Sequence, residues 1–193
     1  MTDLILGGVL ILVMGASVFF TWTLVGLVRS HVPFISTSKK VARKMVALAH
    51  IKRGQKIYDL GCGRGVILFE AIRFLPPPFL KGEIEGDFSP TQFIGYELVR
   101  PVVWWANIRK FFVGNRYICS LRFQCKDFFK EDLSDADVIF CYLWPSIMDR
   151  FYAEKWKMLK KGTKIISHGF RISALTPKKI EHVGRAPIFV YEK

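Results

Sequence analysis

The stretch Lys56-Ile57-Tyr58-Asp59-Leu60-Gly61-Cys62-Gly63-Arg64-Gly65, followed by the apolar run Val66-Ile67-Leu68-Phe69, leaves this chain few choices of fold. Apolar residues lead into glycines at every second position, and helical spacing follows, so the block reads as strand, tight turn and helix. Glycine is needed where the backbone takes positive φ and where a ligand must approach a point that a Cβ would fill. A helix starting near Gly65 adds unpaired N–H groups and the positive end of its dipole, which suits a carboxylate or a phosphate. This is the layout of a nucleotide cradle in a doubly wound sheet. A dinucleotide fingerprint would put its next glycine at position 66, where this chain has valine.

Ahead of that block, Leu4 to Val28 carry no charge. Such a run is long enough to cross a bilayer with some tilt, and the alternative is a buried core helix. Asp3 and the absence of any basic residue before the run argue against a cleavable signal. Arg29, Lys39, Lys40, Arg43 and Lys44 crowd the far side. By the positive-inside rule the body then faces the cytoplasm, with the N-terminus outside. The expected organisation is an anchor over 1–30, a linker with a short helix over 31–55, and one domain over 56–193. A length of 193 residues suits one domain plus an appendage, and two domains would be cramped. Ser38 is the expected N-cap of a helix from Lys39 to His50, with Val41, Met45, Leu48 and Ala49 as its apolar stripe. Its basic face could lie along anionic headgroups or simply be solvated.

The net charge of +13 resides in the body, because Asp3 and Arg29 cancel in the leading segment. It is compatible with RNA, an anionic membrane face or an acidic protein. Cys62, Cys119, Cys125 and Cys141 show no zinc-ligand spacing, so no metal is expected; Cys141 falls in a core strand and Cys62 in the glycine turn, so buried free thiols, suited to a reducing compartment, are the better reading.

After a helix over Val66 to Leu75, Pro76-Pro77-Pro78 ends helical structure, and 76–92 reads as a loop, an insertion rather than a lid. Phe93 to Leu98 reads as a strand ending in Glu97, and ligands of open parallel sheets lie beyond the carboxyl ends of the strands, so Glu97 is placed to accept from ribose hydroxyls. Pro101 opens a helix with Val102, Trp105 and Ala106 on one side. Trp104 and Trp105 are read as packing groups or as a contact near the membrane, with base stacking as the alternative. Leu121 to Cys125 forms the next strand. Asp127 beyond it can accept from an adenine amino group while Phe128 walls the ring, the alternative for Asp127 being a cap. Asp137 to Cys141 is a continuous apolar strand of the kind covered on both faces. Its exit, Tyr142-Leu143-Trp144-Pro145, should border the reacting group. A helix from Ser146 to Lys160, a strand from Lys164 to Phe170 and a last strand from Ala186 to Tyr191 complete the sheet.

Together, Val-Pro-Phe at 32–34, Asp-Leu-Gly-Cys-Gly-Arg-Gly at 59–65, Gly-Tyr-Glu-Leu at 95–98, Pro101, Trp104-Trp105, Lys-Asp-Phe-Phe at 126–129 and Thr-Pro at 176–177 carry a resemblance. The chain resembles class I S-adenosylmethionine methyltransferases. Within them it is similar to the protein-lysine methyltransferases that modify the adenine nucleotide translocase and the ATP synthase c subunit, and to their prokaryotic relatives. The resemblance implies an α/β, Rossmann-like fold with a mostly parallel seven-stranded sheet, helices on both faces and an N-terminal transmembrane helix. It implies S-adenosylmethionine held by Thr37, Asp59, Gly61, Cys62, Gly63, Gly65, Glu97, Leu98, Asp127 and Phe128, with Asp59 helping to order the glycine turn. Arg64 departs from the family, which commonly has an acid there, and the exit Tyr142 to Pro145 is bulkier than usual.

The chemistry expected is attack of an unprotonated amine on a sulfonium methyl group, which asks an enzyme mainly for alignment and a dry pocket. A lysine acceptor must first lose a proton, its ordinary pKa being about 10.4. Tyr142 and Trp144 are the candidate aromatic wall, and Ser167 and His168 could orient the amine or take its proton. A protein substrate is thus expected, with membrane association through the first helix. The rivals are a nucleic-acid methyltransferase, a small-molecule or lipid methyltransferase, and a membrane-tethered S-adenosylmethionine-binding protein without turnover. The exit at Tyr142 lacks the Asn-Pro-Pro-aromatic pattern of adenine methylation, which counts against the first.

Overall fold

A seven-stranded sheet runs in the order β3-β2-β1-β4-β5-β7-β6 in the computed structural model, which describes residues 2–30, 36–74, 91–113 and 119–193. The strands are β1 (Lys56–Leu60), β2 (Thr91–Glu97), β3 (Cys119–Cys125), β4 (Val138–Cys141), β5 (Lys164–His168), β6 (Lys179–Val183) and β7 (Ala186–Glu192). The first five pair in parallel, while β7 runs antiparallel to both β5 and β6. The strand order reverses between β1 and β4, the switch point where open α/β sheets bind ligands. This is the Rossmann-like, mostly parallel sheet expected from the sequence.

The helices are α1 (Thr2–Ser30), α2 (Lys39–Ala49), α3 (Val66–Phe74), α4 (Arg100–Val113) and α5 (Pro145–Lys155). Ser38 caps α2 as expected, its Oγ accepting from the Val41 N–H, and His50 ends the helix in the left-handed region with φ 49°. The apolar side of α2 is buried in a cluster with Ile57, Ile67, Leu68, Phe69 and Phe93. Buried Glu70 of α3 accepts from Arg43 of α2 and from Arg73, each at 2.8 Å, so a charge taken out of water is paired on two sides. Arg43 and Lys44, which pairs with Glu181 at 3.1 Å, are therefore engaged within the protein and are not a free basic face.

Several boundaries differ from the sequence reading. Strand β2 begins at Thr91, not Phe93, because Thr91 and Gln92 find ladder partners in Cys119 and Ser120, which likewise extend β3 two residues earlier. The rest of the loop read over 76–92 lies outside the described residues, apart from these two positions. Helix α5 stops at Lys155, not Lys160: the buried Lys155 ammonium donates to the Glu131 carbonyl, and the chain tightens into a 3-10 turn, Trp156–Met158. Strand β5 ends at His168 because Gly169, at φ 77°, turns the chain away. The buried side of α4 is formed by Val103 and Ala106, whereas Trp105 faces outward. Strand β6 was not read at all; it is a polar edge strand with one neighbour and no apolar alternation.

Among the described residues no helix is long and apolar enough to cross a membrane. The side chains of α1 are described continuously only from Ile5 to Thr21, where they are exposed, so the expected anchor rests on the sequence. Helix α1 touches the domain through Phe19, whose ring lies 6.5 Å from that of Trp104.

Candidate active site

Parallel pairing brings the carboxyl ends of β3, β2, β1, β4 and β5 to one edge of the sheet, and the candidate residues follow that spatial order. Asp127 and Phe128 come after β3, Glu97 ends β2, Gly61 to Gly65 follow β1, Tyr142 to Trp144 leave β4, and His168 ends β5. Adjacent strands lie about 4.8 Å apart, so the row spans roughly 19 Å.

The glycine turn is held by backbone and by one acid. The Gly61 and Cys62 N–H groups donate to the Tyr96 carbonyl at 2.9 and 3.0 Å, and the Gly65 N–H donates to Cys62 at 2.8 Å. Gly61 and Gly65 both have φ 72° and Gly63 has φ 51°, a region that side chains disfavour. A Cβ on Gly61 would stand 3.0 Å from Leu143 Cδ2, and one on Gly65 would collide with the Phe123 ring. Glu97 completes the turn: Oε2 accepts from the Gly63 N–H at 3.1 Å, while Oε1 accepts from the Leu98 and Val99 N–H groups at 2.8 and 3.0 Å. A carboxylate offers about four acceptor positions, so Glu97 keeps one that a ribose hydroxyl could use.

Asp59 is arranged differently from the sequence expectation. It is 2% exposed, and its Oδ2 has no hydrogen-bond partner among the described residues, so the bond that orders the turn comes from Glu97. Burial, and then the nearby Glu97 carboxylate, push its pKa up to about 8. A buried acid without a partner is costly and calls for a donor or a cation. Burial also pushes the neighbouring Cys62 thiol well up, which keeps it protonated and unreactive.

Asp127 caps the short turn Phe128–Lys130 through Oδ1, which accepts from the Phe129 N–H at 3.0 Å. Its other oxygen is not used by that cap. The buried Phe128 ring lies 4.3 Å from Phe129, and the Arg150 guanidinium covers Phe129 at 3.8 Å. The exposed Leu98 side chain stands at the β2 exit. Thr37 is buried ahead of α2, and no hydrogen bond among the described residues joins it to the glycine turn.

At the other end, Tyr142, Trp144, His168 and Phe170 form an aromatic group. Tyr142 lies 4.0 Å from the His168 ring and 6.1 Å, stacked, from Phe170, which is 5.2 Å from Trp144. His168 is buried, its Nδ1 has no partner among the described residues, and burial lowers its pKa below the ordinary 6.5. Ser167 is fully buried and donates to the Phe170 carbonyl, so its hydroxyl braces the turn. Phe170 was not singled out from the sequence as a site residue; only its position just past the end of β5 could have marked it.

A family model described as the ANTKMT methyltransferase domain matches residues 59–179. A curated protein-lysine N-methyltransferase of Saccharolobus islandicus is 30% identical over 154 residues, covering 78% of this chain and 84% of that protein. The chain belongs to the ANTKMT methyltransferase family. Among solved structures it is similar to an RNA methyltransferase from Salinibacter ruber in complex with S-adenosyl-L-homocysteine, with a TM-score of 0.68, 24% identity, and coverage of 82% of this chain and 93% of that one. It is also similar to a ribosomal protein L11 methylase from Lactobacillus delbrueckii subsp. bulgaricus, with a TM-score of 0.59, 13% identity, and coverage of 82% and 81%. These two likenesses speak for the fold. The methyltransferase assignment drawn from the sequence is borne out by the family.

The residues of this family member fit S-adenosylmethionine. The partnerless Asp59 Oδ2 can take an ammonium, the open glycine turn admits the methionine portion, and Glu97 can accept from a ribose. Replacing Glu97 by alanine removes the acceptor of three N–H groups as well as the ribose partner. Calorimetric titration should show S-adenosylmethionine affinity lower by about 1–3 kcal/mol. An unchanged constant would take Glu97 out of the site.

Proposed function

We propose that this methyltransferase transfers a methyl group to a lysine side chain of a protein, and that its substrate is a membrane protein. The observation that carries the reading is the aromatic group at the exits of β4 and β5, set beside the glycine turn and containing a buried histidine. The lysine-methylating relative supports the same acceptor.

S-adenosylmethionine, when bound, supplies an electrophilic methyl group. The chain's own residues do the rest. Asp59 and Glu97 would hold the donor at its ammonium and ribose, and Asp127, Phe128 and Leu98 would wall its base. Tyr142, Trp144 and Phe170 exclude water and offer ring faces to an incoming ammonium. Desolvation there favours the neutral amine. His168, neutral because burial lowers its pKa, accepts the proton that the amine gives up, directly or through water. Ser167 positions that wall through the Phe170 carbonyl.

The N-terminal helix is proposed as a single-pass anchor with its N-terminus outside and the domain facing the cytoplasm. The uncharged run from Leu4 to Val28 and the basic residues after it support this.

The direct test is transfer of radiolabelled methyl groups into membrane and soluble fractions, with protease and RNase controls. Label that resists RNase, is lost to protease and maps to lysine supports the reading; label lost to RNase moves it to a nucleic acid, which the +13 charge would also suit. For His168, the rate should fall on the acid side with a midpoint below pH 6.5, and His168→Gln should lower kcat by ~10²-fold and flatten that limb. An unaltered pH profile in the variant would assign the proton to another group.

A further inference from the structure

Helix α4 carries an outward face that the site does not use. Trp104, Trp105, Phe111 and Phe112 are 56%, 53%, 85% and 80% exposed, while Val103 and Ala106 are buried against the sheet. At helical spacing these four rings form one continuous arc together with Ile108, with Arg100 at its edge. Soluble surfaces seldom leave such an arc open.

We propose that this arc of α4 rests in the interfacial layer of an anionic bilayer. The inference rests on the membrane reading of α1 given above, and three observations favour a lipid surface over other occupants. Tryptophan and phenylalanine with an arginine at the edge of the arc suit an interfacial helix, with rings at headgroup depth and the guanidinium toward lipid phosphates. The chain's net charge of +13 complements an anionic leaflet. The arc is also continuous with α1, whose exposed apolar side chains reach it through the Phe19 and Trp104 rings, 6.5 Å apart. Helix α4 starts at Arg100, three residues beyond Glu97, so its tryptophan end lies at the sheet edge that holds the site. A bilayer under Trp104 and Trp105 therefore runs alongside the mouth of the site, which selects acceptor lysines close to the headgroups.

The test is fluorescence quenching of the full chain reconstituted in phosphatidylcholine vesicles, with and without phosphatidylglycerol, using lipids brominated near the headgroup end of the acyl chain. Quenching by Trp104 and Trp105 is read as the difference between the parent and Trp104→Phe/Trp105→Phe, which leaves the other tryptophans in place. The expected result is at least a twofold loss of that difference emission, larger with phosphatidylglycerol. A parallel Trp22→Phe difference reports on α1. Quenching at Trp22 but not at Trp104 and Trp105 overturns the α4 proposal and leaves the anchor standing. No quenching at either overturns both. Protection of Trp104 and Trp105 that appears with protein concentration and without lipid overturns it in favour of a second copy of the chain.

Discussion

Asp59→Asn should stabilise the free protein and cripple its binding of S-adenosylmethionine. The wild-type carboxyl holds its proton up to about pH 8 when folded, whereas its ordinary value is 3.8. Between those values the folded state binds more protons than the unfolded state, so stability falls as pH rises and levels off above about 8. At pH 7, roughly three units above the ordinary value and still below the folded one, the penalty is on the order of 4 kcal/mol, a shift of one unit being worth about 1.4 kcal/mol. Asparagine cannot ionise and escapes it. Thermal unfolding should therefore show a Tm gain for the variant of about 10 °C at neutral pH, widening from pH 5 to pH 8. The bound ammonium needs the ionised carboxylate, so affinity in the wild type should rise with pH up to about 8, by at most about tenfold per unit. The variant should bind roughly 10- to 100-fold more weakly and show no such slope. A variant that binds as tightly as the wild type at every pH would mean that Asp59 does not face the ligand.

The second large effect concerns Gly65. A Cβ there would stand 2.4 Å from Phe123 Cζ and 3.2 Å from Phe69 Cε2, and both rings are buried in the core. Those rings pack at 5.4 Å with the Arg109 guanidinium 4.4 Å over Phe69, so neither can swing aside cheaply. Gly65→Ala combines this overlap with the cost of a side chain at φ 72°, for a loss of about 3–5 kcal/mol. Gly184→Ala is the control, since Gly184 has φ 63° with open space around it and should lose only about 1–2 kcal/mol. Chemical denaturation of both variants separates crowding from backbone strain. Equal losses would show that Phe123 yields and that crowding contributes nothing.

The readable parts of the chain were those where one local rule acts alone. The glycine turn, the Ser38 cap and the apolar strand β4 announce themselves because each needs only its own neighbours. Glu97 was legible as a strand-end acid, but its bond to the Gly63 N–H depends on how β1 and β2 align, which no spacing encodes, whereas its bonds to Leu98 and Val99 are local. The same holds for Thr91 and Gln92, which are strand only because Cys119 and Ser120 pair with them. Strand β6 escaped because Lys179, Glu181 and His182 give no apolar alternation; its pairing is dictated by β7. Hydrophobicity alone turns Trp105 inward, yet the residues buried against the sheet are Val103 and Ala106, and Trp105 is left half-exposed.

The antiparallel position of β7 has a consequence for assembly. Strand β6 precedes β7 in the chain but reaches the sheet only through it, so β6 emerges during synthesis with nothing to bind. Until the turn at Gly184 closes and the pair docks as a unit, β5 presents an uncovered rim of peptide groups, an open template for other chains. Solubility during expression should depend on how fast this hairpin latches, a demand that falls on a polar segment far from the chemistry.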